Sequence, residues 1–504
     1  MSAVQSLDPR TNTPVEEVAS QTSEAEVARL VAAAVAAAPA LETLGRAGRA
    51  RMLRAMADAL EDDRELLVQV TDRETALGPT RLNGELTRTT FQLRFFAEVI
   101  EDGEYLGAII DHAGSTPMGP RPDLRRMLRP LGPVGVFGAS NFPFAFSVAG
   151  GDTASALAAG CPVLVKAHSS HPASSVLQAA ALQRGAASAG APEATLALVF
   201  GQAAGLALVA SPQVTAVGFT GSVTAGRRLH DVAKARPRPI PFYGELGALN
   251  TLTITPTAAR ERAQGIGQGL AASFTLGVGQ FCTKPGLALV PTGADGDAVI
   301  AALVAHARAT APAVMLNRRT LEGFAHGSAA LRNSAGVRTL VASDDGRPEA
   351  TASPVVVEVD AADVGGPMLE ECFGPALVIA RYAAEDDVVR VLDAVGPGLT
   401  ASLHAGEVDE LATRLLGRLT DIAGRVVWNG FPTGVAVAWA MHHGGAYPAT
   451  TDALHTSVGA TSIRRWLRPV SYQDVPQALL PAELQDEAGG IPRRVDGRLV
   501  GPTP

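Results

Sequence analysis

Three residues of this chain have side chains suited to covalent catalysis. Cys282 sits in GVGQFCTKPG, Gly277 to Gly286, where a thiol follows an aromatic residue in a loop rich in Gly and Pro; a thiol held that way can act as a nucleophile. The only other cysteines are Cys161 and Cys372, spaced too far apart for zinc pairs or a CxxC redox motif, so no metal or dithiol chemistry competes for Cys282. A lone cysteine is more often a small buried hydrophobe, so Cys282 needs partners. Glu245, in PFYGELGALN, follows the strand-like run Ile240 to Tyr243 and precedes Gly247; its carboxylate can serve as a general base. Asn141, in FGASNFPF, ends another strand-like run and is held by Pro143, so its amide can donate to a developing oxyanion. Each alone is an ordinary turn residue. At three turns of one chain they form a constellation.

The elements that must position them follow from pattern and composition. At 504 residues and 47% hydrophobic, the chain can bury large cores and fill two or more domains. A formal charge of -8 with scattered arginines gives no basic footprint, so nucleic acid is not an expected partner. The opening MSAVQSLDPRTNTPVEEVAS has no apolar h-region, and the Ala-rich run Val31 to Leu41 is short and weakly apolar. No membrane association is expected, and three cysteines imply no disulfide framework, which suits the cytoplasm. Glu24 to Leu60 has helical spacing and Glu61 to Glu101 continues it. From Pro130, short apolar strands alternate with Ala-rich helices, the mark of a parallel α/β sheet. The strands predicted are Val134 to Gly138, Pro162 to Lys166, Leu196 to Phe200, Ala216 to Thr220 and Ile240 to Tyr243, with His230 to Pro241 as a connector. A second α/β region follows from about Leu252, where a helix over Ala258 to Gly277 leads into the Cys282 loop. The Pro- and Gly-rich end, Gly489 to Pro504, reads as a loosely held tail.

Across these segments the sequence resembles the aldehyde dehydrogenase superfamily, and within it the branch of α-ketoglutarate semialdehyde (2,5-dioxovalerate) dehydrogenases and NADP-dependent fatty aldehyde dehydrogenases. The carriers are Gly138 to Pro172, FTGSVTAG (Phe219 to Gly226), GELG (Gly244 to Gly247), GQFCTKPG (Gly279 to Gly286) and EECFGP (Glu370 to Pro375). NGFPTGV (Asn429 to Val435), HGGAYPATTD (His443 to Asp452) and the stretch from Thr456 to Pro476 follow in the same order. The resemblance implies an aldehyde dehydrogenase fold of two parallel-sheet α/β domains plus a small β oligomerisation element. Residues 1–102 and 128–246 would form the cofactor domain, 247–468 the catalytic domain and 103–127 with 469–488 the element that joins copies into a homodimer or homotetramer.

The chain lacks GxGxxG, so the ordinary dinucleotide fingerprint is missing. By resemblance the cofactor lies across the first sheet, with GSVTAG as its signature: Gly221 turns the chain tightly and Ser222 caps the next helix, whose free amides can meet a pyrophosphate. Lys166 matches the lysine that contacts the adenosine ribose. Where NAD-preferring members carry Glu, this chain has Ser169, beside Lys166 and His168, which removes repulsion of a 2′-phosphate. NADP is therefore expected to be preferred to NAD or shared with it, although Gly201 to Gly205 brings no Arg. Glu371, with Phe373 nearby, matches the residue that orients the nicotinamide ribose.

The implied mechanism is attack by Cys282 thiolate on the aldehyde, oxyanion stabilisation by Asn141 and the Cys282 amide, hydride loss from the thiohemiacetal, and hydrolysis of the thioester by water that Glu245 activates. Cys161 and Cys372 read as structural. Lys284, where close relatives have Asn, reads as a solvated loop lysine, and His443 as a packing or loop-fixing residue. The expected substrate is α-ketoglutarate semialdehyde, with long-chain or aromatic aldehydes as alternatives. A catalytically silent binding protein on the same fold is opposed by the joint presence of Cys282, Glu245 and Asn141, and an acylating, CoA-dependent member by Glu245.

Overall fold

The computed structural model describes residues 3–342, 350–487 and 489–502. Two parallel sheets face each other through their site-bearing ends. The first orders its strands Phe242–Glu245, Ala216–Thr220, Val134–Phe137, Val163–Lys166 and Leu196–Val199. All are parallel, with Phe137 level with Lys166 and Phe219, and Thr220 level with Glu245. Their short apolar runs suit burial on both faces. The order reverses between the strands ending at Phe137 and Thr220, so the loops carrying Asn141 and Gly221 diverge there and leave a crevice at the carboxyl ends. Lys166 and Glu245 end two further strands at that same edge of the sheet.

The second sheet orders Arg338–Val341, Val355–Asp360, Ala376–Tyr382, Pro285–Pro291, Asn250–Ile254, Gly398–His404 and Ala423–Trp428, with only the Arg338 edge strand antiparallel. One apolar cluster covers each of its faces, around Leu287, Val357 and Leu403 on one side and Leu252, Phe274 and Ile379 on the other. Helix Pro256–Thr275 delivers the chain to the Cys282 loop through Gly277, Val278 and Gly279, all left-handed (φ 56°, 59° and 65°). Val278 is β-branched, so this turn holds backbone strain a few residues before Cys282.

Helices Glu24–Thr43, Gly45–Asp62, Arg64–Thr75 and Pro79–Asp102 precede the first sheet, and the last three contribute to its core with Leu53, Met56, Leu86 and Phe96. No single helix among the described residues is long and apolar enough to cross a membrane. The five predicted strands of the first sheet lie within about two residues of those observed. Two local readings differ. The predicted connector from His230 is helical through Ala235, because an amphipathic Val223–Ala235 helix runs on until Arg236 turns extended before two Pro-containing residue pairs. The opening residues, read only for a leader, form a hairpin of Ala3–Asp8 and Thr13–Ser20, whose Glu16 pairs with Arg73.

A further sheet orders Leu467–Gln473, Leu124–Pro130, Ala108–Asp111, Arg493–Val495 and Arg498–Val500. The expectation of a loose tail over 489–504 is therefore corrected. Arg493–Val495 pairs in parallel with Ala108–Ile110, Ile491 is buried, and Arg493 donates to the Gln485 carbonyl at 2.7 Å. Alternation of side chains in a short charged strand hid this from composition. Deleting residues 491–504 would remove buried Ile491 and expose the Ala108 strand edge; a lower thermal midpoint, read by differential scanning calorimetry, is expected, and an unchanged one would show that the strand bears no load.

Candidate active site

Three separate stretches of chain meet at the thiol. Glu245 ends its strand and forms an antiparallel bridge with Thr450, which draws the segment from His443 to Ser457 across the edge of the first sheet. The second sheet presents Cys282 from the opposite side. Asn250 fixes that loop by donating to the carbonyls of Cys282 (2.7 Å) and Lys284 (3.1 Å). Gly279 lies so close to Gly374 that a Cβ on it would stand 2.3 Å from the Gly374 backbone, which ties GQFCTKPG to EECFGP through backbone contact alone.

The sulfur lies 3.4 Å from His443 Nε2, which lies 3.0 Å from Glu245 Oε1. Ser457 donates to the other carboxylate oxygen at 2.5 Å. All three donor atoms, of Cys282, His443 and Glu245, fall within 4.8 Å of one another. Burial pushes the Cys282 thiol well above the ordinary thiol range, and the Glu245 charge adds to the rise. For Glu245, burial acts upward, but the charge and hydrogen bond of His443, with Ser457, outweigh it and hold the carboxyl below its usual range. The resting pair is thus a protonated thiol beside an ionised carboxylate. One imidazole N–H lies within reach of both. His443 was read from the sequence as packing; only folding brings it, 161 residues further along the chain, onto the sulfur.

Asn141 is buried and donates to the Gln280 carbonyl at 3.0 Å, leaving its second amide hydrogen free beside the Cys282 loop. Arg81 holds the Asn141 carbonyl at 2.5 Å and lays its guanidinium over Phe142 and Phe281. The reading of Lys284 as solvated is corrected. It is 3% exposed, and its ammonium donates to the carbonyls of Cys372 (3.2 Å) and Ala376 (2.8 Å). The acceptors come from a turn some ninety residues away, which local sequence cannot disclose. Cys161 is buried with its thiol pushed up to about 11 by burial, and Cys372 is buried too, so both sit as structural thiols. Behind Glu245 lies a cavity of about 20 Å³, room for one water, lined by Asp452, His455, Thr456 and Ser457 among others.

The crevice of the first sheet fits a dinucleotide. Ser222 caps helix Val223–Ala235 by accepting from the Ala225 amide at 3.4 Å, which turns that helix's first amides toward the crevice. Gly221 has no left-handed φ; it is needed for space, since a Cβ there would meet the Phe219 ring at 2.8 Å. Lys166 has no ion-pair or hydrogen-bond partner among the described residues, and burial alone lowers its pKa. Ser169 is exposed. His168 is held well below its ordinary pKa by burial and by the charges of His171 and Lys166, so it offers the crevice a neutral ring. Arg319, from the second sheet's side, adds a charge that reaches His168, and Asn317 donates to Ser170 at 2.9 Å across the same gap. Glu371 lies against Gly247, where a Cβ would stand 2.2 Å from its carboxylate, and burial raises its pKa to about 7 despite Lys284 nearby. Phe373 is half-buried two residues on.

A model of the aldehyde dehydrogenase family matches residues 2–453. The chain is 45% identical over 505 residues to alpha-ketoglutaric semialdehyde dehydrogenase 2 of Azospirillum brasilense, covering 98% of this chain and 96% of that one. It is 42% identical over 459 residues to the alpha-ketoglutaric semialdehyde dehydrogenase of Acinetobacter baylyi, covering 90% and 87%. Among solved structures, methylmalonate-semialdehyde dehydrogenase from Oceanimonas doudoroffii superposes with a TM-score of 0.80 at 20% identity, covering 94% of this chain and 95% of that one. NADP-dependent glyceraldehyde-3-phosphate dehydrogenase from Bacillus halodurans does so with a TM-score of 0.79 at 21% identity, covering 94% and 96%. Fold, motif order and near full-length similarity agree: the chain belongs to the aldehyde dehydrogenase family, whose members oxidise aldehydes with NAD or NADP.

Proposed function

We propose that the chain oxidises α-ketoglutarate semialdehyde to α-ketoglutarate, with NADP favoured over NAD. The observation that carries the chemistry is the line of Cys282 sulfur, His443 Nε2 and Glu245 carboxylate at 3.4 and 3.0 Å. The substrate reading is supported by the two relatives, both named for that semialdehyde.

Cys282 passes its proton to Glu245, and the His443 N–H then shifts its hydrogen bond from the neutralised carboxyl to the new thiolate. The sulfur attacks the aldehyde carbon; a C–S bond forms and the carbonyl pair moves onto oxygen. Asn141 and the Cys282 N–H donate to that oxyanion. Glu371 and Phe373 would hold the nicotinamide ribose of a bound cofactor, which would supply the oxidised ring that takes the hydride released as the former aldehyde C–H bond breaks and the oxyanion pair re-forms the carbonyl. Glu245 releases its first proton through the small cavity toward Asp452, then takes one from water as the resulting hydroxide attacks the thioester. Collapse expels the Cys282 thiolate and frees the acid. Self-association through the sheet of Leu124–Pro130 and Leu467–Gln473 is part of the same proposal, since its outer strand has an unpaired edge.

Glu245→Gln should slow the burst of reduced cofactor, since the thiol loses its proton acceptor, but keep its amplitude equal to the enzyme present, while steady turnover falls further, by about 10²- to 10⁴-fold. Rapid mixing that finds the burst lost and deacylation intact would give Glu245 another task. The same variant removes the anionic neighbour that raises the thiol pKa. Iodoacetamide should therefore label Cys282 faster in Glu245→Gln than in the parent at pH 8, although turnover is slower. In the parent without cofactor, labelling should keep rising past pH 9, because a raised thiol pKa defers thiolate formation to higher pH. A plateau near the ordinary thiol value would contradict the buried, carboxylate-flanked setting.

For the cofactor, Ser169→Glu should cost NADP about five-fold to a hundred-fold in affinity relative to NAD, since a carboxylate there repels a 2′-phosphate. Arg319→Ala should weaken NADP more than NAD. Dissociation constants of both cofactors for each variant decide the matter; an unchanged ratio in both would remove this crevice as the reader of the 2′ group.

A further inference from the structure

A cation with too few partners lies beside the nucleophile. On one face of helix Pro79–Asp102, Arg81, Glu85 and Arg88 succeed one another at helical spacing. Glu85 is buried and accepts from the amides of Phe144 (2.8 Å) and Ala145 (3.0 Å), which anchors the loop after Asn141. Arg81 is committed to the Asn141 carbonyl and two aromatic faces. Arg88 is not. Its Nε and one terminal nitrogen reach only the Val435 carbonyl, each at 3.4 Å, and the other terminal nitrogen is buried without a partner.

Its surroundings point toward the thiol. The guanidinium lies 5.2 Å over the Phe146 ring, whose centroid is 6.3 Å from that of His443, and His443 touches the Cys282 sulfur. Of the charges that act on Arg88, that of Glu85 on the same helix face comes first, followed by those of a Cys282 thiolate and Glu245, and none of these carboxylates closes its fork with a hydrogen bond. A buried guanidinium, permanently charged, is costly unless a planar anion completes its fork. The other nearby cations have firmer partners, and Arg81 and Arg425 each also keep one buried nitrogen without a partner. Lys284 is bonded to two carbonyls, and Arg425 braces the carbonyls of Pro432 and Gly434, which shapes the loop that also presents Val435.

We propose that Arg88 is the carboxylate-binding residue of the substrate pocket: it takes the carboxylate of a 2-oxo acid while the aldehyde at the other end of the same short chain meets Cys282. This rests on the carboxylated-semialdehyde reading above and supplies its missing anchor. The Phe146 face between Arg88 and His443 offers an apolar wall for the intervening methylenes. An uncharged aldehyde would leave Arg88 without its anion.

The test compares α-ketoglutarate semialdehyde with pentanal, an uncharged aldehyde of equal carbon number, in the parent, Arg88→Gln and Arg88→Lys. Arg88→Gln should raise KM for the semialdehyde about 10- to 100-fold, the loss of charge-assisted hydrogen bonds, with kcat little changed. Pentanal oxidation should hold or improve. Arg88→Lys should recover part of the KM, as a point charge without the fork. Parallel loss on both aldehydes would overturn the assignment and make Arg88 a brace for Val435. If Arg88→Gln does not fold, the Lys variant carries the same comparison, with a selective loss on the semialdehyde expected and equal losses overturning it. A parent with no preference for the semialdehyde over pentanal would instead sink the substrate reading itself, whereas a preference that survives in Arg88→Gln sinks Arg88 alone.

Discussion

The burial of Glu245 as an ion is the constraint around which this molecule closes. An uncompensated buried carboxylate costs several kcal/mol or neutralises itself. Here the compensation comes from outside its own strand. His443 and Ser457 arrive on a segment that crosses the strand edge at Thr450, and Cys282 approaches from the other sheet. The carboxylate can stay charged only when the crossing segment is docked. The ionisation of Glu245 is therefore tied to the docking of three distant stretches of chain. That coupling explains why residues after His443 pack back onto the first core, where Ile463 and Trp466 are fully buried and Trp466 donates to Ser155 at 2.8 Å.

The electrostatics of the pocket oppose one another by design of position. Burial and Glu245 keep the thiol protonated at rest, while the charge of Arg425 favours a thiolate. A protonated thiol is less open to oxidation and stray alkylation. Deprotonation then depends on a short transfer to Glu245 rather than on a standing thiolate, so reactivity is tied to the geometry that also positions the oxyanion donors. Lys284 takes no share in this: its charge falls on Glu371 and Cys372, where it offsets part of the burial that raises Glu371.

What could be read from the sequence was what is local in it. Strand ends at Phe137, Lys166, Thr220 and Glu245 follow from short apolar runs broken by Gly, Pro or a polar residue, and the roles suggested for Ser222 and for the Cys282 loop rest on adjacent residues. Contacts between remote segments were not legible. His443 showed only as a His before a Gly pair, Lys284 as a lysine in a Pro-containing loop, and Arg319 as one of two arginines opening a helix. Arg88 lies amid residues typical of a half-exposed helix, and its burial is created by Phe146 and Val435 from two other elements. The strand at Arg493–Val495 was hidden for a related reason. Short edge strands carry charge to discourage association, so their composition resembles a tail.

Those remote contacts divide by what they can tolerate. The backbone approach of Gly279 to Gly374 admits no side chain, so it restricts sequence without doing chemistry. Polar contacts with spare capacity are different: the second amide hydrogen of Asn141, the partnerless nitrogen of Arg88 and the unpaired ammonium of Lys166 each retain a donor after the fold is complete. Buried donors without partners also occur elsewhere among the described residues, as at Gln92 and Arg94, so what singles out these three is their place around Cys282 and the crevice of the first sheet. On the functional proposal above, Lys166 would complete its donor on a dinucleotide and Arg88 on a short oxo acid, with Asn141 between the two ligands at Cys282.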